Sequence, residues 1–145
     1  MERTYSLSSD EILSAVKRSD IEIPLAIFHN DYLSALESIV KYLKENRGFK
    51  LSKIARLTNR SSKTIWTTYQ KANQKMPERF SQLTDDKSIP LALFSLRVLS
   101  VLESLVAYIK DTYDLTYHET AVLLNRDDRT VWTVYQRAKK KGGLP

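Results

Sequence analysis

The sequence predicts an all-α fold: two tandem three-helix modules, each preceded by a short extended segment, with a short helix ahead of both. Three observations predict it. Sliding the chain by 66 residues lays Ile23–Lys75 on Ile89–Lys141 without a gap, with 24 identities over 53 positions. Ser/Thr-x-x-Glu signals stand ahead of helix-period apolar runs, and such signals start helices. An Asn-Arg-(Ser/Asp) stretch separates the last two runs of each copy. With two copies and a period above 50 residues, this is a duplicated domain and not a solenoid.

Composition bounds the class. The chain has 145 residues, 42% of them hydrophobic, which suits one ordinary domain or two small ones and argues against wholesale disorder. It has no cysteine, which excludes disulfides, thiolate catalysis and cysteine-ligated zinc and reads as cytoplasmic. No apolar run approaches the roughly 18 residues of a membrane span, and no signal-peptide stretch is expected at the N-terminus. The net charge of +6 permits a polyanionic partner without proving one.

The elements follow in order. Residues 1–20 form an N-terminal segment in which Ser8 or Ser9 caps a short helix through Asp10, Glu11, Ile12, Leu13 and Val16. Module one covers residues 21–76 and opens on IPLAIF, an extended piece because proline biases its predecessor away from helix. Its first helix starts at the capping box Ser34-x-x-Glu37, carries the stripe Leu36, Ile39, Val40 and Leu43, and ends at Gly48. A short second helix holds Ile54, Ala55 and Leu57. Asn59-Arg60-Ser61 make the turn, asparagine being tolerant of left-handed backbone. The third helix spans roughly residues 62–74, with Ile65, Thr68, Tyr69 and Ala72 inward.

Residues 77–88 form a linker of turn-forming residues, Pro77, Thr84, Asp85, Asp86 and Ser88 among them, with Phe80 and Leu83 packing locally. Module two, residues 89–141, repeats the scheme. IPLALF opens it, Ser100-x-x-Glu103 and Thr116-x-x-Glu119 start two helices, and Asn125-Arg126-Asp127 make the turn. The third helix covers 128–140 with Val131, Val134, Tyr135 and Ala138 inward, and residues 142–145 are a tail.

Three helices, two of them short and joined by a tight turn, describe a helix-turn-helix domain. The spacing is more specific than helix counting. A small residue, a turn residue four positions later and a branched residue six beyond that recur as Ala55, Asn59, Ile65 and as Ala121, Asn125, Val131.

IARLTNRSSKTIWTTYQKA and TAVLLNRDDRTVWTVYQRA resemble the helix-turn-helix of sigma-factor region 4 and of related archaeal transcription regulators. The tandem wording is similar to two-domain archaeal DNA-binding proteins, archaellum-operon activators among them. The resemblance covers both modules and neither the N-terminal segment nor the linker. It implies a sequence-specific regulator of transcription that binds double-stranded DNA, needs no cofactor and is not an enzyme. Asparagine in place of the usual turn glycine, and a bulky Trp in the third helix, depart from the pattern.

In this fold the N-terminal part of the third helix meets base edges in the major groove. Spacing places Ser62, Lys63, Trp66, Thr67 and Gln70 there in copy one, and Asp128, Arg129, Trp132, Thr133 and Gln136 in copy two. Lys or Arg suits guanine, Gln suits adenine, and Thr suits a thymine methyl or a phosphate. Arg60, Lys71, Arg126 and Arg137 are the phosphate candidates; Lys139-Lys140-Lys141 either add a nonspecific phosphate contact or are an ordinary solvated helix end.

Several residues carry two readings. Trp66 and Trp132 either contact DNA or cover their own IPLA(I/L)F segments. Asp127 and Asp128 either repel phosphate or cap a helix. Tyr42, Tyr69, Tyr108 and Tyr135 are expected in the core with their hydroxyls at the surface. His29 and His118 do not correspond across the repeat and have no carboxylate constellation in sequence, so no metal site or general base is expected. Module one holds ten Lys/Arg against four Asp/Glu and module two eight against six, which makes copy one the stronger electrostatic anchor. The second function class is protein binding, with transcription machinery as partner. The oligomeric state is open.

Overall fold

Proline fixes φ and biases its predecessor toward extended backbone. In the computed structural model, which describes residues 21–83 and 86–144, both Ile-Pro pairs lie in strands, β1 (Glu22–Pro24) and β2 (Ser88–Pro90). The expected N-terminal helix, and Thr84 and Asp85 of the linker, lie outside the described residues.

Among the described residues there are six α-helices, three after each strand. Copy one has α1 (Ala35–Lys41), α2 (Leu51–Thr58) and α3 (Ser62–Lys75); copy two has α4 (Val101–Tyr113), α5 (Tyr117–Leu124) and α6 (Asp128–Lys140). A wider π turn, Tyr42–Asn46, prolongs α1. The fold is therefore mostly helical, with one two-stranded sheet. Among the described residues no helix is long and apolar enough to cross a membrane.

The capping boxes at Ser34, Ser100 and Thr116 all close: each hydroxyl accepts the third amide and each glutamate accepts the cap amide. Gly48 ends the first helix with φ 70°, and Asp114 does the same in copy two with φ 54°. There Lys110 Nζ donates to the Leu115 carbonyl at 2.6 Å, satisfying an acceptor next to the helix end. Helix α3 stops at Lys75, two residues before Pro77.

The extended reading of IPLA(I/L)F holds only for its first residues. After each proline the chain coils into a 3₁₀ turn, Leu25–Phe28 or Leu91–Ser95. A continued strand would send alternate side chains to opposite faces. The turn instead buries Leu25, Ile27 and Phe28 together.

Strand and turn form a strap, and each strap crosses to the other copy. Leu25–Phe28 packs against α5, and Leu91–Ser95 packs against α2. β1 and β2 pair antiparallel with Ile23 opposite Ile89, Glu22 opposite Pro90 and Pro24 opposite Ser88. The flanking bonds repeat the pattern: Leu25 N–H donates to the Lys87 carbonyl and Leu91 N–H to the Ile21 carbonyl, both at 3.0 Å. Exchanging the copies maps this ladder onto itself. A local two-fold axis therefore passes between Ile23 and Ile89, both fully buried.

One hydrophobic cluster takes Ile23, Ile54 and Ile65 from copy one together with Ile89, Leu124 and Val131 from copy two. The linker joins it through Phe80 and Leu83, and the Phe80 carbonyl accepts from Asn46 Nδ2 at 3.0 Å. A small second cluster, Leu99, Ala107 and Ala138, belongs to copy two alone, but the main core is shared by both copies.

Polar groups tie helices within each copy. Lys75 reaches Glu37 at 2.9 Å, and the equivalent Lys141 reaches Glu103 at 2.8 Å, so the third helix is tied back to the start of the first. Lys141 stays exposed at the surface but is ion-paired within its own copy. Lys41, whose side chain is fully buried, donates to Glu45 Oε1 at 2.6 Å, while Glu45 Oε2 accepts from the Tyr69 hydroxyl at 2.8 Å. Copy two has Ala107 and the shorter Asp111 at these places, and Asp111 accepts from Tyr135 at 2.7 Å.

Both tyrosines lose stability from ionising beside a carboxylate. Burial, then the Glu45 hydrogen bond, pushes Tyr69 up to about 12. The Asp111 hydrogen bond, then burial, pushes Tyr135 up to about 12. A raised folded-state value contributes stability that is full below the ordinary tyrosine range near 10 and is lost as pH rises from there to about 12. Phenolate absorbance should show these two ionising toward pH 12, above the ordinary tyrosine range. Tyr69→Phe and Tyr135→Phe should each flatten the fall of stability over that window; if it is unchanged in both, these bonds are not its source.

Candidate nucleic-acid interface

The candidate surface is built on the turn between the second and third helices of each copy. Asn59 and Asn125 adopt left-handed backbone, with φ 56° and 53°. This lets Arg60 N–H reach back to the Ala55 carbonyl at 3.0 Å and Arg126 N–H to the Ala121 carbonyl at 2.9 Å, closing the helix ends. Ala55, Ile65, Ala121 and Val131 are all buried where the helices cross. Ser61 Oγ accepts the Thr64 amide at 3.1 Å and Asp127 accepts the Thr130 amide at 2.7 Å, so both are N-caps. The amide bond holds the Asp127 carboxyl below the usual carboxylate range.

The opposite copy's strap braces each turn. The Asn59 side chain donates to the Ser95 carbonyl at 3.3 Å, and Arg97 donates to the Asn59 carbonyl at 3.4 Å. Across the axis, Asp31 accepts from the Asn125 side chain and His29 Nδ1 meets the Val122 carbonyl at 2.9 Å. Asp31 and Arg97 occupy equivalent positions, so opposite chemistries perform one task. Sequence reasoning gave Asp31, Ser95 and Arg97 no role, because it weighed only the same copy's tryptophan as cover for each apolar segment.

Helices α3 and α6 turn one face to the core and the other outward. Ser62, Lys63, Trp66, Thr67 and Gln70 are all exposed, as are Asp128, Arg129 and Trp132, while Thr133 and Gln136 are half-buried. Trp66 is 56% exposed and Trp132 52%. Each strap turn packs between the first helix of its own copy and the second helix of the other, and both tryptophans stay open to water, which counts against their covering their own IPLA(I/L)F segments.

Other candidates have partners within the chain. Gln136 donates to the Tyr117 hydroxyl at 3.3 Å, and copy one has Leu51 at the equivalent position, which offers Gln70 no hydroxyl. Asp128 lies 3.1 Å from His118 Nδ1, an exposed pair that the sequence reading did not foresee. Among the described residues, no cluster of three or more His, Asp or Glu side chains is arranged to hold a metal.

The phosphate candidates divide in two. Lys71 and Arg137 are exposed. Arg60 donates to the Thr58 carbonyl at 2.8 Å and across the axis to the Phe94 carbonyl at 2.9 Å. Burial, then the neighbouring Arg97 charge, lowers its pKa from the ordinary value. It is a strut between copies and not a free cation. Arg126, half-buried, donates to the Leu124 carbonyl at 3.2 Å.

No protein-family model matches this chain, and neither does any curated protein or solved structure.

Proposed function

We propose that the chain is a sequence-specific double-stranded-DNA-binding transcription regulator whose two helix-turn-helix modules present α3 and α6 to major grooves. One observation carries the reading. Each third helix leaves a large aromatic, Trp66 or Trp132, exposed beside a basic residue in its first turn, Lys63 or Arg129. An exposed tryptophan recurs at equivalent positions of the two copies, and Trp is enriched where a partner covers the surface. The flanking Thr and Gln are base-edge side chains in type. The net charge of +6 adds attraction for a polyanion, and the resemblance to sigma-region-4-like archaeal regulators supplies the regulatory half of the proposal. The action is binding, in the cytoplasm and without a cofactor.

A second reading, docking on transcription machinery or another protein, is favoured by the same exposed tryptophans, since Trp is enriched at protein-interface hot spots. Titration with duplex DNA, followed by the emission of the chain's two tryptophans, separates the two. Lys63→Ala and Arg129→Ala should each relax preference at a different base pair, at a cost of about 1–3 kcal/mol for a good base contact. Unchanged affinity and preference in both variants would sink the DNA reading and leave the protein partner.

A further inference from the structure

We infer, on the footing of the DNA-binding reading, that the preferred duplex carries two inverted, non-identical half-sites, although the chain's own repeat runs head to tail. Two units strung on a linker would read direct repeats, each displaced along the duplex from the other. The straps set a different relation. β1 and β2 are antiparallel with Ile23 facing its own equivalent, Ile89, and α1 packs on its equivalent, α4. Each strap covers the other copy's second helix. All these contacts map onto themselves when the copies are exchanged, which is the mark of a two-fold axis and not of a translation.

A two-fold operation carries α3 onto α6. B-DNA has its own two-fold axes across the helix, so reading helices related this way meet half-sites on opposite strands, and operator palindromy mirrors protein symmetry. The braces fix each reading helix to that axis and not to the linker: Arg97 of copy two holds the Asn59 turn, and Asp31 of copy one holds the Asn125 turn. The palindrome is imperfect because the helices differ. Ser62 and Lys63 of copy one stand where copy two has Asp128 and Arg129. The half under α6 is the one weighted toward guanine, since the Arg fork binds guanine O6 and N7 in bidentate fashion and Lys binds as a point charge.

Selection by the full chain from a random duplex pool tests the arrangement, with Lys63→Ala and Arg129→Ala selected alongside. Expected are two half-sites on opposite strands at one fixed spacing, with each variant relaxing one half only. Inserting about five base pairs at the centre, half of the roughly 10–10.5 base-pair turn, should lower affinity by about 10²-fold or more as the second engagement is lost. Direct repeats, a lone half-site, or indifference to the insertion would overturn the inverted arrangement while leaving DNA binding in place. A pool from which no duplex is enriched would overturn both.

Discussion

Phe94→Ala should destabilise the chain by about 3–5 kcal/mol, and should do so in copy one as much as in copy two. The magnitude follows from deleting a large buried ring, which removes its transfer free energy and leaves a cavity. Phe94 is 2% exposed and belongs to the Leu91–Ser95 turn, which lies against α2 of the other copy. Domains of this size have roughly 5–15 kcal/mol of stability, so the loss is a large share. Because the core is shared, the chain should melt in one transition. Native-state amide exchange in Phe94→Ala should rise in α2 and α3 together with α5 and α6. Faster exchange confined to α5 and α6, with two resolved melting steps, would mean that the copies fold independently and that the strap exchange is energetically idle.

Duplex affinity should fall by about 10²-fold when salt is raised from about 50 to about 200 mM. Each neutralised phosphate contributes about −0.9 to the slope of log affinity against log salt. Lys71, Arg137, Lys139 and Lys140 are exposed on the third helices, and four such contacts give a slope of about −3.6. Arg60, Lys75 and Lys141 are left out because each already bonds within the chain. Titration at several salt concentrations measures the slope directly. A slope near zero would remove the phosphate contacts and shift the weight to the protein-partner reading. Arg60→Ala should leave the slope unchanged while lowering stability, since it deprives the Phe94 and Thr58 carbonyls of a donor.

Much of the local structure was legible because it depends on neighbours in sequence. A Ser-x-x-Glu pair closes a capping box within one turn, and both Ser34 and Ser100 do so. Asn59 and Asn125 take left-handed backbone for reasons internal to the residue. The stripes Ile65–Ala72 and Val131–Ala138 follow from helical period alone.

The crossing of the straps was not legible, and the duplication itself is the reason. IPLAIF and IPLALF meet nearly the same apolar surface whether they fold onto their own module or the other one, so pattern cannot choose. What decides is the reach of the chain and the fit of a symmetric ladder, which are three-dimensional quantities. The readings of Trp66 and Trp132 as strap covers were weakened by that choice. So was the freedom of Arg60, whose acceptor lies 34 residues away in the opposite strap. Of the DNA-facing candidates, Lys63, Trp66, Arg129 and Trp132 are exposed as their spacing required, whereas Gln136 and Asp128 found partners that only the fold brings near.

The exchanged straps also bear on time. A helical protein with mostly local contacts folds fast, because short loops close easily. Here β1 waits for β2 some 66 residues on, and His29 meets Val122 at a separation of 93. Synthesis proceeds from the N-terminus at roughly 5–20 residues per second. As copy one emerges, α2 has no strap over it and Leu25, Ile27 and Phe28 have no α5 to lie against. Copy one therefore holds bare apolar surface until copy two has been made. For those seconds the nearest surface of the right shape is on another nascent or half-folded chain, and a crowded pair of ribosomes on one message would be the place where two chains lock straps with each other.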